Sequence, residues 1–94
     1  LSSLDRVIHE PARLTLVALL SSVKSADFLF LLKERELTKG NLSVHLTRLE
    51  EAGYVEVEKT FRGKIPHTEY RLTPKGKSAF EQYRKNLGSI FNKE

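Results

Sequence analysis

A chain of 94 residues has room for one domain, and its 39% hydrophobic and 30% charged residues suit a folded one. It has no cysteine, which removes disulfides, thiolate catalysis and cysteine-based metal sites and suits a reducing cytoplasm. Its apolar stretches at 14–20 and 28–32 are too short to span a membrane, and its opening residues do not read as a leader peptide.

Leu4, Val7 and Ile8 form an apolar patch at helical spacing that breaks at Glu10-Pro11. Proline suits a first helical turn, where its missing N–H is not needed, and Leu14, Leu16, Val17, Leu19 and Leu20 then read as a largely buried helix. Ser25 reads as the cap of a second helix over 26–35, with Asp27 in its first turn and the charged run 33–36 covering its end. Thr38 is the cap expected for a third helix, 38–52, whose Leu42, Leu46 and Leu49 share one face. Gly53 closes that helix as a left-handed residue would. The period then changes to alternation: 54–60 and 67–73 read as two strands joined at Arg62-Gly63-Lys64. Thr73-Pro74 opens a last helix, 74–92, with Phe80, Tyr83, Leu87, Ile90 and Phe91 in steps of three and four. There is no internal repeat and no second domain, so residues 1–94 are expected to be one unit.

The net charge of +4 has a location. Acids and bases cancel through residue 53, whereas the segment from Lys59 to Lys77 holds six basic residues and one acid, Glu69. A basic segment on a neutral body suggests a polyanion contact; charge alone equally fits a solvated basic loop. Setting Leu42 inward, steps of about 100° turn Gly40, Val44, Thr47 and Glu51 outward. Ser43 and Arg48 flank that face, and Lys39 and Asn41 lie in the first turn.

Two helices, a turn, a third helix and a basic hairpin follow the order of a winged helix-turn-helix, mainly α with a small β-hairpin. Residues 42–55, running Leu42-Ser43-Val44-His45-Leu46-Thr47-Arg48-Leu49 and on to Tyr54-Val55, resemble the recognition helix and following strand of the MarR/ArsR superfamily. Phe61-Arg62-Gly63-Lys64 and Tyr70-Arg71-Leu72-Thr73-Pro74-Lys75-Gly76 resemble that superfamily's wing and its entry into the final helix, and 4–14 looks like the start of its small bacterial and archaeal members. The resemblance implies a dimeric transcriptional regulator, expected to be a repressor, that reads double-stranded DNA at a pseudo-palindromic operator.

On that reading, Lys39, Asn41, Ser43, Val44, Thr47 and Arg48 face the major groove: Asn41 suits adenine, Val44 and Thr47 a thymine methyl, Lys39 and Arg48 guanine or phosphate. Lys59, Arg62, Lys64 and His67 on the wing suit phosphate or the minor groove, with Arg62 the leading candidate. Lys75 and Lys77, beside the start of the final helix, fit further phosphate contacts and a merely solvated role equally well. The last helix resembles a short coiled-coil seam, and Leu4, Ile8, Phe80, Tyr83, Leu87 and Ile90, joined by Leu1, are expected at a dimer interface; the alternative is that the termini pack on the chain's own core. His9, His45 and His67 are too scattered for a metal site, the cysteines of the superfamily's metal sensors are missing, and no catalytic grouping is visible. No metal, cofactor, membrane contact or enzymatic activity is therefore expected, and nothing in the sequence identifies a small-molecule effector. Two other readings remain open: a winged-helix protein-interaction module and a non-specific architectural DNA binder.

Overall fold

The computed structural model describes residues 4–35 and 37–91. Leu1, Glu36 and residue 92, each part of an expectation above, lie outside them. The elements are α1 (Pro11–Ser21), β1 (Ala26–Asp27), α2 (Phe28–Arg35), α3 (Lys39–Glu51), β2 (Val55–Arg62), β3 (Ile65–Leu72) and α4 (Pro74–Phe91). The sheet is antiparallel in the order β1-β3-β2. This is the winged-helix arrangement that the order of elements predicts.

Local chemistry sets the boundaries. Glu10 caps α1 through its carboxylate, which accepts the Arg13 N–H at 2.8 Å, and Pro11 occupies the first helical position. Thr38 caps α3 by accepting the Asn41 N–H at 3.1 Å. Gly53 follows α3 with φ 82°, a conformation that glycine adopts without a Cβ penalty. The Thr73 hydroxyl accepts the Gly76 N–H at 2.9 Å and donates to the Gly53 carbonyl at 2.6 Å, so the start of α4 is fastened to the end of α3.

The expected start of the second helix is corrected. Ser25 does not cap it; Asp27 does, accepting the Phe30 N–H at 2.8 Å. Ala26 and Asp27 instead pair with Tyr70 and Glu69 as a third strand. A two-residue strand carries no alternation of its own, and its pairing lies more than forty residues away. Ser25 is thereby released to donate its hydroxyl to Glu69 at 2.5 Å.

Leu42, Leu46 and Leu49 of α3 form one buried stripe against Leu16, Val17 and Leu20 of α1, Leu31 of α2, and Val55 and Leu72 of the sheet. Full burial of each such side chain is worth about 1.5–3 kcal/mol, so α3 is held from behind while its outer face stays free.

A second cluster covers part of the expected dimer seam within the chain itself, as the alternative reading of the termini has it. Leu4, Ile8 and Tyr83 are 4%, 0% and 3% exposed within the single chain, packed with Leu14, Ala79 and Leu87. Residues 4–10 are turns rather than a helix, because the Asp5 carboxylate takes the N–H groups of Val7 and Ile8 and also accepts the Tyr54 hydroxyl. This segment folds back on α4, and His9 Nδ1 lies 2.8 Å from the Tyr83 hydroxyl. Phe80 is half-buried against the main core. Of the expected seam, Phe80 and Leu87, both half-buried, and Ile90, 40% exposed, keep surface for a partner, joined by Phe91 at 78%.

Candidate nucleic-acid interface

The outward face of α3 consists of side chains that the core does not use. Lys39, Asn41, Ser43, Val44, Thr47 and Arg48 are all exposed, Lys39 in the first turn and the other five on the side and flanks of the helix away from the leucine stripe. Gly40 has no atom within 4 Å of where a Cβ would stand, so the first turn of α3 is open to close approach. On its flank α3 is tied to the start of α1. Arg13 donates to His45 Nδ1 at 3.3 Å and to the Val7 carbonyl at 2.6 Å, and the Glu10 carboxylate lies 3.8 Å from His45. His45 thus serves the scaffold rather than the exposed face.

Between α3 and the wing lies an open cleft of about 500 Å³, lined by Ser43, Leu46, Thr47 and Glu50 from the helix and by Val57, Lys59 and Tyr70 from the strands. It brings Ser43, Thr47 and Lys59 to one place. Burial raises the Tyr70 pKa, and the Glu50 charge adds to that, so at neutral pH the phenol is an uncharged donor. A cleft with one ammonium, two hydroxyl groups and a phenol suits a phosphate oxygen, and Glu50 limits how deeply an anion enters. Tyr70 escaped the sequence reading because its position in β3 marks it only as a strand aromatic.

The hairpin register divides the other wing residues. Val55↔Leu72, Val57↔Tyr70, Lys59↔Thr68 and Phe61↔Pro66 share the face that runs from the core along the cleft. Glu56↔Arg71, Glu58↔Glu69, Thr60↔His67 and Arg62↔Ile65 share the other face. Arg62 and His67 therefore stand on the opposite face from Lys59, and both turn to Glu69, at 3.7 and 3.0 Å. Arg62 remains 71% exposed, whereas the His67 side chain is only 15% exposed and is the wing residue least available to a ligand. Hydrogen bonds from Ser25 and His67 hold the Glu69 carboxyl below its ordinary pKa, so it is anionic at neutral pH. Lys64 is exposed at the turn, where Gly63, at φ 66°, takes the first loop position. Lys75 stands over the Tyr54 ring, its ammonium 5.9 Å from the centroid, near the end of α3.

Residues 12–91 match the family described as winged helix DNA-binding domain. The chain belongs to that family. An uncharacterised protein of Methanocaldococcus jannaschii is 35% identical over 79 residues, which cover 83% of this chain and 85% of that protein. A transcriptional regulator homologue from Pyrococcus horikoshii superposes with a TM-score of 0.88 at 26% identity, over 94% of this chain and 87% of its own. A mutant of E. coli MarR solved with operator DNA shares the fold, with a TM-score of 0.70 at 20% identity over 81% of this chain and 54% of that one. The fold is thus common to this chain and both solved structures, and none of the described helices is long and apolar enough to cross a membrane.

Proposed function

We propose that this winged-helix chain is a sequence-specific DNA-binding transcriptional regulator, acting in the cytoplasm as a dimeric repressor on a pseudo-palindromic operator. The observation that carries the proposal is the outward face of α3, exposed along its length and polar except at Val44, beside a cleft whose far wall holds Lys59. A recognition helix enters the major groove with its N-terminal part leading, so Lys39, Asn41 and Ser43 meet the bases first, while Val44 and Thr47 supply methyl contacts. Arg48, a turn or two further along, takes guanine or the groove edge. The cleft takes the phosphate strand that separates this groove from the one under the wing, with Lys59 and Tyr70 as donors. The fold shared with a MarR solved on operator DNA, and with a transcriptional regulator homologue, supports the same reading.

The experiment is selection of bound duplexes from a random pool, followed by titration of the selected and random duplexes at two salt concentrations. Arg48→Ala is expected to cost about 1–3 kcal/mol on the selected duplex and much less on the random one. Lys59→Ala is expected to weaken both alike and to lower the salt slope by about one unit. Equal affinity of the wild type for the two duplexes would leave a non-specific architectural binder, and no binding to either would leave a protein-interaction module.

A further inference from the structure

The tip of the wing carries a feature that phosphate binding does not explain. Phe61 and Ile65 are 72% and 70% exposed, among the largest apolar exposures on the described surface. Phe61 stands opposite Pro66 on the hairpin face that lines the cleft, two residues beyond Lys59, or about 7 Å further out at the rise of an extended strand. Around this apolar pair the segment 59–67 holds Lys59, Arg62 and Lys64 and no acid. An exposed aromatic ring on a segment whose charged side chains are all basic fits a partner with anionic edges and apolar walls a few ångströms apart. The minor groove has that form, about 6 Å wide, with phosphates at its rims and deoxyribose along its sides. Apolar wedges are a known means of engaging it.

We infer that Phe61, backed by Pro66, is an apolar wedge for the minor groove of double-stranded DNA. Because Phe61 shares a face with Lys59 and the cleft, a duplex seated on α3 presents its next groove to the ring. Arg62 and Lys64 flank the wedge and hold the phosphate rims, so the ring, rather than Arg62, is the group directed inward. This inference rests on the DNA-binding reading above.

The chain contains no tryptophan, so Phe61→Trp places a single reporter at the tip. The probe is an end-labelled alternating dA–dT duplex of 30 base pairs, whose anisotropy reports binding independently. Binding is expected to shift the tryptophan emission to the blue and quench it, and a duplex saturated beforehand with the minor-groove drug netropsin is expected to abolish that change. Phe61→Ser is expected to weaken binding about tenfold with the salt slope unchanged, because no cation is lost. Binding seen by anisotropy with unaltered emission would overturn the wedge and leave DNA binding standing. An emission shift that follows protein concentration without DNA would overturn it in favour of a second copy covering the tip. Absence of any binding by the wild type, to this duplex and to those of the random pool alike, would remove the DNA reading and the wedge with it.

Discussion

At the residue scale, two glycines in helices have opposite surroundings. A Cβ on Gly76 would meet the Tyr54 carbonyl oxygen at 2.3 Å and Leu72 Cδ1 at 2.9 Å, whereas one on Gly40 would meet nothing within 4 Å. Tyr54 is not free to move away. Its carbonyl accepts the Thr73 N–H at 2.9 Å and its hydroxyl donates to Asp5; burial, and then that bond and the Asp5 charge, push the Tyr54 pKa up to about 12. Gly76→Ala must therefore displace α4, and is expected to lower the unfolding free energy by about 1–3 kcal/mol despite the better helix propensity of alanine. Gly40→Ala, by contrast, is expected to leave stability unchanged or raise it by up to about 1 kcal/mol. Urea denaturation of the two variants beside the wild type checks both, and equal behaviour would remove the close-approach explanation. The capping threonines were legible in the sequence because a cap acts on the next few residues. The demand at Gly76 was not, since the atoms it spares belong to Tyr54, just before β2, and to Leu72 at the end of β3.

At the scale of the element, the wing is more than a two-stranded arm. A lone hairpin is marginally stable in water, and this one is braced at its middle, where Ser25 beside β1 bonds to Glu69 of β3 and His67 and Arg62 close on the same carboxylate. Glu69 has its pKa lowered in the folded protein, first by the Ser25 hydroxyl and then by His67. A lowered carboxyl pKa stabilises the fold above the unfolded value, about 4.3, and that stabilisation disappears as pH falls through the lowered one. Glu69→Gln is accordingly expected to melt below the wild type at neutral pH, with the gap closing in acid below about pH 4. Thermal melts of the two proteins across pH 3–7 decide it; a gap that persists or widens in acid would exclude the ion-pair bracing. The alternation of β2 and β3 was readable because each strand repeats its own pattern. The third strand was not, because Ala26 and Asp27 are strand only by pairing with Tyr70 and Glu69. For the same reason the sequence could collect Lys59, Arg62, Lys64 and His67 into one basic wing but could not tell which face each occupies.

At the scale of the whole molecule, the chain is longer than a compact domain of its size. Its radius of gyration is 14.3 Å and its longest extent 58 Å, where about 12 Å is usual for this length. An elongated body with one recognition helix suits a single half-site, and an operator of two half-sites calls for a second copy placed about 34 Å away by a two-fold axis. The sequence correctly marked the apolar stripe of α4, yet much of it is consumed within the chain, because Asp5 turns Leu4 and Ile8 back onto Tyr83. Apart from half-buried Phe80, what remains among the described residues is the far end of α4, Leu87, Ile90 and Phe91. Three side chains fall well short of the roughly 800 Å² per partner of a standard interface, so the expected dimer is a concentration-dependent one that DNA reinforces. Ile90→Glu combined with Phe91→Glu is expected to give a monomer of unchanged melting temperature that still binds a single half-site. Leu87→Glu is a poorer test, since Leu87 also packs on the Leu4–Ile8–Tyr83 cluster and its loss lowers stability as well. Sedimentation velocity from 1 to 200 μM, at low and high salt, reads the outcome. An apolar contact predicts that added salt does not dissociate the wild type, and a wild type that stays monomeric throughout, with and without a two-half-site duplex, would exclude the two-fold arrangement.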